Sequence, residues 1–157
     1  MYQLEVKLHL VKHQFPPSEG WEVTVDVDAM ERAKGNQHKP DKRGRVEDAE
    51  QELVNLGATV AAHPTFGRVD IVAKHPIHGC YLIEVEGQSS KQKEQALYSA
   101  LGQSILMMGD LPNNTSYGLA VPDAPEWERQ VVKIPDRIKK MLNLRVYLVS
   151  MDGVREI

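Results

Sequence analysis

Two segments near the N-terminus alternate between hydrophobic and polar positions. The first, residues 2–11, alternates around four apolar side chains, which are Leu4, Val6, Leu8 and Leu10. The second, residues 21–27 (WEVTVDV), alternates in the same way. A period of two is typical of a strand with one exposed face, and the stretch FPPSEG between the segments favours a turn. Residues 1–28 are therefore predicted to form a β-hairpin, with Asp26 and Asp28 on its polar face.

The pattern changes after this segment and predicts a core over residues 43–150. Apolar residues at helical spacing indicate helices at 45–56, 91–108 and 127–142, the last one kinked or split at Pro135. Short β-branched and apolar runs indicate strands, namely GATVAAHP, VDIVA, CYLIEVE, YGLAV and RVYLVS. The order helix, three strands, helix, strand, helix, strand predicts an α/β fold, in which helices flank a mixed β-sheet. With the hairpin added, residues 1–157 are expected to form one domain.

Acidic residues mark one end of the two central strands. VDIVA contains Asp70, and CYLIEVE contains Glu84 and Glu86. If these strands form a hairpin that is symmetric about Ile77, Asp70 lies opposite Glu84, and directly opposed Cβ atoms are about 5 Å apart. Glu86 shares the face of Glu84 because side chains alternate with a period of two. We therefore predict three carboxylates at one end of an otherwise apolar hairpin.

Three neighbouring carboxylates admit few physical explanations. Removing a carboxylate from water is costly, so the three groups would repel, raise one another's pKa, or hold a cation. Mg²⁺ prefers oxygen ligands and takes one or two carboxylates, while water and substrate phosphate complete its shell. The alternative is a strand end in solvent, where acids are common. That alternative applies above all to Glu86, which is followed by Gly87.

These residues resemble a known motif, in which an Asp precedes a hairpin and an acid-x-Lys tripeptide ends a strand before a helix. This is the pattern of the PD-(D/E)XK nuclease superfamily. Here it consists of RVD at 68–70 and EVE at 84–86. Val69 stands where the motif has Pro, and Glu86 stands where it has Lys. Some restriction endonucleases of this fold carry Glu at that position and still cleave, and in other members the Lys has moved into the following helix.

The resemblance implies a restriction endonuclease-like core with the order αβββαβαβ. It implies an endonuclease that hydrolyses DNA phosphodiester bonds with Mg²⁺ or Mn²⁺. The catalytic residues that it implies are Asp70, Glu84, Glu86 and Lys91, with Lys93 as the alternative to Lys91. The implied metal ligands are Glu47, from the opening helix, with Asp70 and Glu84.

The missing motif Lys leaves a second interpretation, a nuclease fold without activity that acts as a nucleic-acid-binding or assembly module. A third, acid–base hydrolysis of a sugar by the same carboxylates, is disfavoured because opposed residues are too close for an inverting mechanism. The net charge of −3 also argues mildly against a dedicated nucleic-acid binder. Basic residues cluster, however, within residues 34–45 and 133–145.

Localisation and assembly are predicted from what the sequence lacks and from the hairpin. No apolar run approaches the roughly 20 residues of a membrane span, the first residues do not resemble a signal peptide, and the single cysteine, Cys80, suits a reducing compartment. These features favour the cytoplasm and no membrane partner. The apolar face of the hairpin at 1–28 needs a cover, and we expect a homodimer, with packing inside the same chain as the competing arrangement.

Overall fold

A single mixed β-sheet with helices on both faces forms the framework of the computed structural model, which describes residues 1–32, 41–88, 92–109 and 114–157. Its helices are α1 (Gln3–Gln14), α2 (Lys42–Asn55), α3 (Lys93–Leu106), α4 (Pro125–Val131) and α5 (Asp136–Met141). Its strands are β1 (Glu22–Val25), β2 (Thr59–Val60), β3 (Ile71–His75), β4 (Gly79–Val85), β5 (Thr115–Pro122), β6 (Leu144–Val149) and β7 (Val154–Glu156). The α/β class and the flanked mixed sheet agree with the sequence prediction.

The strands lie in the order β2-β1-β3-β4-β5-β6-β7. The pairs β1/β3, β3/β4 and β6/β7 are antiparallel, whereas β1/β2, β4/β5 and β5/β6 are parallel. Parallel neighbours need a crossover connection, and α3 connects β4 to β5 while α4 and α5 connect β5 to β6. The antiparallel hairpin β3/β4 therefore lies at the centre of the sheet, where both of its faces are covered.

The two faces of the sheet are covered by different helices. Alternate residues of β3 separate between them: Ile71 and Ala73 pack with α1 and α2, whereas Val72 packs with α3 and α4. Strand β4 divides in the same way, with Ile83 on the first face and Leu82 on the second. Both faces of the central strands are apolar because each one is buried, as the sequence of this hairpin suggested.

The N-terminal segment is the main correction to the sequence prediction. Residues 2–11 form the helix α1 rather than a strand, so the β-hairpin over residues 1–28 is wrong, and only its second strand exists, as β1. The apolar side chains of α1 are at most 4% exposed, and they are Leu4, Val6, Leu8, Leu10 and Val11. Helix α1 packs between the sheet and α2, so its apolar residues spread over a wide part of its surface. They do not form one narrow helical stripe, and in the sequence they look like the alternation of a strand.

The other elements follow the predicted order. The predicted break at Pro135 separates α4 from α5, and the C-terminal residues contribute the additional strand β7. None of the helices in the described ranges is both long and apolar enough to cross a membrane. Lys91 and residues 34–40 of the basic cluster at 34–45 lie outside the described residues.

Candidate functional site

The register of β3 and β4 confirms the predicted pairing of the acids. The paired residues run from His75 opposite Gly79 to Ile71 opposite Ile83, which centres the hairpin on position 77. One step further along the same register, Asp70 lies opposite Glu84. The side chains of Asp70, Glu84 and Glu86 line one open pocket of about 330 Å³. The structure therefore brings together three of the four residues that were predicted to be catalytic.

The other described residues that line this pocket come from five parts of the chain. They are Gln3 of α1, Asp26, Asp28 and Glu31 after β1, Arg68 before β3, Val85 of β4, and Ser99 and Gln103 of α3. Among the described residues that line the pocket, six are acids and Arg68 is the one basic residue. Asp26 and Asp28, which the alternation suggested to be only the polar face of a strand, belong to this pocket.

Asp70 is held by several donors at the back of the pocket. Its Oδ1 atom lies 2.7 Å from Nζ of Lys7, and its Oδ2 atom accepts the backbone N–H of Val85 at 2.8 Å. The side-chain amide of Gln3 donates more weakly, at 3.4 Å and 3.5 Å. Each carboxylate oxygen of Asp70 thus accepts a hydrogen bond that fixes its orientation. The register of the two strands places Asp70 opposite Glu84.

Lys7 is a buried cation that the sequence analysis missed. Its side chain is 0% exposed, and its Nζ atom contacts both oxygens of Glu31, at 2.6 Å and 2.9 Å, and the backbone carbonyl oxygen of Asp26 at 2.6 Å. Burial by itself would lower the pKa of Lys7, but the carboxylates of Asp70 and Glu31 outweigh it and raise that pKa. Lys7 therefore stays charged behind the carboxylates. Its helical spacing from Gln3 becomes visible only once α1 is known to be a helix.

The pKa of Glu84 is strongly perturbed by its surroundings. The residue is 7% exposed. Burial, followed by the charge of Asp70 and a hydrogen bond between the two carboxyl groups, raises the pKa of Glu84 to about 8. In its protonated form Glu84 donates this hydrogen bond to Asp70. Burial likewise raises the pKa of Glu31 to about 7 against the opposing effect of Lys7. Near neutral pH the pocket thus contains acids that can either hold or release a proton.

One predicted metal ligand, Glu47, lies outside this pocket. Glu47 has a 61% exposed side chain, forms an ion pair with Arg43 at 2.9 Å, and lines a separate cavity together with Arg32 and Glu50. Lys91 lies outside the described residues. Its alternative, Lys93, donates to the carbonyl oxygen of Gln88 and stacks over the ring of Trp127, 5.0 Å from its centroid.

The donor set fits a hard divalent cation that keeps part of its water shell. Within the described ranges, no three or more His, Cys, Asp or Glu side chains are arranged to hold a metal ion by themselves. Mg²⁺ does not need such a cage, since it is usually bound by one or two carboxylates together with water and phosphate oxygens. Asp70 and Glu84 offer two opposed carboxyl groups at one open pocket. Glu84 has to release its proton before it can act as a ligand.

Comparison with known proteins gave no match to this chain, whether among family models, curated proteins or solved structures. What the protein does has to be inferred from its own residues, their geometry and their charges.

Proposed function

We propose that this protein is a metal-dependent nuclease that hydrolyses DNA phosphodiester bonds, with a site of the PD-(D/E)XK type. The observation that carries the proposal is the pairing of Asp70 and Glu84 across the central hairpin, in an open pocket that Glu86 also lines. The element order from α2 to β6 supports a restriction endonuclease-like core. Glu86 takes the place of the motif Lys in this proposal, and Glu47 is no longer assigned to the metal.

Residues in and behind the pocket have distinct tasks in this reaction. A bound Mg²⁺ or Mn²⁺ ion supplies a water of lowered pKa and neutralises charge on the phosphate. Lys7 and the Val85 amide hold the carboxylate of Asp70 in a fixed orientation. Glu84, whose pKa is raised to about 8, completes the carboxylate pair once it has lost its proton. Glu86 serves as a further ligand or as the general base.

Arg68 is suited to receive the substrate phosphate. Its side chain is 71% exposed at the pocket, and Nε contacts Oδ2 of Asp26 at 3.2 Å. A guanidinium group has five N–H donors in a planar fork, so a single contact through Nε leaves further donors for phosphate oxygens. In a pocket lined by six acids, this cation reduces the repulsion that a polyanionic substrate meets.

The direct test is a cleavage assay with single-stranded, duplex and branched DNA in the presence of Mn²⁺. We expect cleavage by the wild type, and a loss of roughly 10²-fold or more in Asp70→Asn and Glu84→Gln. Both replacements keep the size of the side chain and remove its ability to ionise. Glu47→Gln is the matched control, because this acid lies outside the pocket, and it should cleave like the wild type.

Two results would contradict the proposal. One is cleavage that survives in both Asp70→Asn and Glu84→Gln, which would indicate a contaminating nuclease or a different site. The other is isothermal titration showing that Mn²⁺ binds equally to the wild type and to Asp70→Asn.

A nuclease fold that binds DNA without cleaving it is the second candidate. The specific observation in its favour is that Lys7 and the Val85 amide already engage both oxygens of Asp70, while the EVE tripeptide lacks the motif Lys. This candidate predicts DNA binding that is unchanged in Asp70→Asn, and no cleavage of any substrate in the panel. Cleavage that Glu84→Gln abolishes would exclude it.

A further inference from the structure

We propose that the ammonium group of Lys7 occupies the position of a second cation, so that the site takes one divalent ion and not two. This inference rests on the proposed function, since it concerns the same carboxylates. Lys7, on α1, acts on the metal only through Asp70, and it is therefore a positioning residue.

The surroundings of Lys7 Nζ resemble the shell of a hard cation. Four oxygens lie within 2.9 Å of it: both carboxylate oxygens of Glu31, Oδ1 of Asp70 and the carbonyl oxygen of Asp26. Carboxylate and backbone carbonyl oxygens are the ligands that Mg²⁺ and Ca²⁺ take in proteins. The charge of Lys7 thus balances the negative charge of these oxygens, which would otherwise need another positive ion nearby.

Asp70 connects this ammonium group with the open pocket. Its Oδ1 contacts Lys7, whereas its Oδ2 lies on the side of β4, near the Val85 amide and the opposed Glu84. In sites with two metal ions, the ions lie about 3.5–4 Å apart, a separation that one carboxylate can span. Here Asp70 spans the distance between a fixed ammonium and the proposed single metal position.

The burial of Lys7 keeps a second metal ion out. Its side chain is fully buried, and it is not among the residues that line the pocket. A hydrated ion cannot displace it without opening the contact between α1 and the segment after β1. Because Lys7 is buried, water screens its charge only weakly. Its contact with Asp70 therefore fixes the orientation of Asp70 before any ion binds.

The number of Mn²⁺ ions bound per chain tests the inference, measured from the electron paramagnetic resonance of free Mn²⁺ at about pH 8.5, above the raised pKa of Glu84. We expect one ion in the wild type. Lys7→Met, which keeps the length of the side chain and removes its charge, should bind two. The double variant Lys7→Met/Glu31→Gln should return to one, because the vacated oxygen cluster has lost its carboxylate.

Lys12→Met is the matched control, since Lys12 lies on the same helix, is 44% exposed and pairs with Glu52. It should bind one ion, as the wild type does. Mn²⁺ should also raise the melting temperature of Lys7→Met more than that of the wild type. A lysine with only a structural role would destabilise the fold when replaced but would not change the number of ions bound.

Two ions bound by the wild type, or one bound by a folded Lys7→Met, would overturn the role of Lys7 and leave the proposed nuclease function intact. If Lys7→Met does not fold, Lys7→Gln takes its place, because its amide is uncharged but can still donate hydrogen bonds to the oxygen cluster, and a folded Lys7→Gln that binds one ion would likewise overturn the role of Lys7. A wild type that binds no Mn²⁺ would instead contradict the proposed function itself.

Discussion

Burial and metal binding make opposite demands on Glu84. Burial favours its neutral, protonated form, whereas a metal ligand has to be ionised. The pKa of Glu84 is about 8 in the folded protein and 4.5 in an unperturbed glutamate. The folded state therefore binds this proton more tightly than the unfolded chain does. The resulting stabilisation is complete below about pH 4.5 and is lost as the pH rises to about 8.

Replacing Glu84 by Gln should remove this dependence on pH. We expect Glu84→Gln to be more stable than the wild type at pH 8.5 without metal, by up to roughly 5 kcal/mol, since each unit of the pKa rise from 4.5 to about 8 corresponds to about 1.4 kcal/mol. The two proteins should be nearly equal near pH 4.5. Urea unfolding in EDTA across this range measures the difference.

Glu47→Gln is the control for this prediction, because its side chain is 61% exposed. The difference between Glu47→Gln and the wild type should stay close to zero at each pH. A stability difference between Glu84→Gln and the wild type that does not grow with pH would show that Glu84 is not protonated in the folded protein.

The sequence contained enough information to pair Asp70 with Glu84 but not to find Lys7. Pairing in a short hairpin follows from the positions of its turn residues, and these are local. The role of Lys7 depends on α1 lying against the segment after β1, which is a contact between distant parts of the chain. A lysine at one position of an alternating segment has no local feature that separates a buried ammonium from an exposed one.

At the scale of elements, the start of α1 is fixed by its close approach to the end of β4. A Cβ atom on Gly87 would lie 2.5 Å from the backbone nitrogen of Gln3 and 3.0 Å from its Cα atom. The backbone N–H of Gln88 donates to the carbonyl oxygen of Met1 at 2.9 Å. Only a residue without a side chain therefore lets α1 bring Gln3 and Lys7 to the pocket.

Gly87→Ala should push α1 away from the end of β4. We expect a loss of about 1–3 kcal/mol in the free energy of unfolding, as for other overpacked sites, together with weaker Mn²⁺ binding. Gly102→Ala is the matched control, because Gly102 lies in α3 with no atom within 4 Å of its added Cβ. That control should gain roughly 0.5–1 kcal/mol. Equal unfolding midpoints for both variants would contradict the close contact.

Elements whose apolar residues follow one clear period were predicted correctly from the sequence, whereas α1 was predicted as a strand. Helix α2 has three buried residues on one stripe, and a proline inside a helical pattern disrupts the helix, so α2 and the break at Pro135 were both visible locally. Helix α1 is buried against the sheet on one side and against α2 on another. Its strand-like alternation therefore reflects burial from several directions, which only the assembled fold reveals.

For the whole molecule, the position of α1 removes the argument for a homodimer. That argument required an apolar hairpin face in need of a cover, whereas the apolar residues of α1 are buried within their own chain. A homodimer and a cytoplasmic location stay predictions from sequence. The charge of the chain has a more direct consequence, because a net charge of −3 and a pocket lined by six acids both repel DNA.

DNA binding should consequently depend on a divalent cation. We expect duplex DNA to bind the wild type at least roughly tenfold more tightly with Ca²⁺ than in EDTA, at low salt, where electrostatic effects are largest. Ca²⁺ takes the same oxygen ligands as Mg²⁺. Fluorescence anisotropy with a labelled duplex measures both affinities.

The double variant Asp70→Asn/Glu84→Gln separates site binding from a general effect of salt. It removes the negative charge of Asp70 and, above the raised pKa of about 8, that of Glu84, and with them the proposed ligands of the cation. Its affinity in EDTA should therefore exceed that of the wild type, and Ca²⁺ should no longer increase it. If Ca²⁺ strengthens DNA binding equally in both proteins, the cation acts elsewhere on the molecule, and the pocket between α1, the central hairpin and α3 is not where DNA is bound.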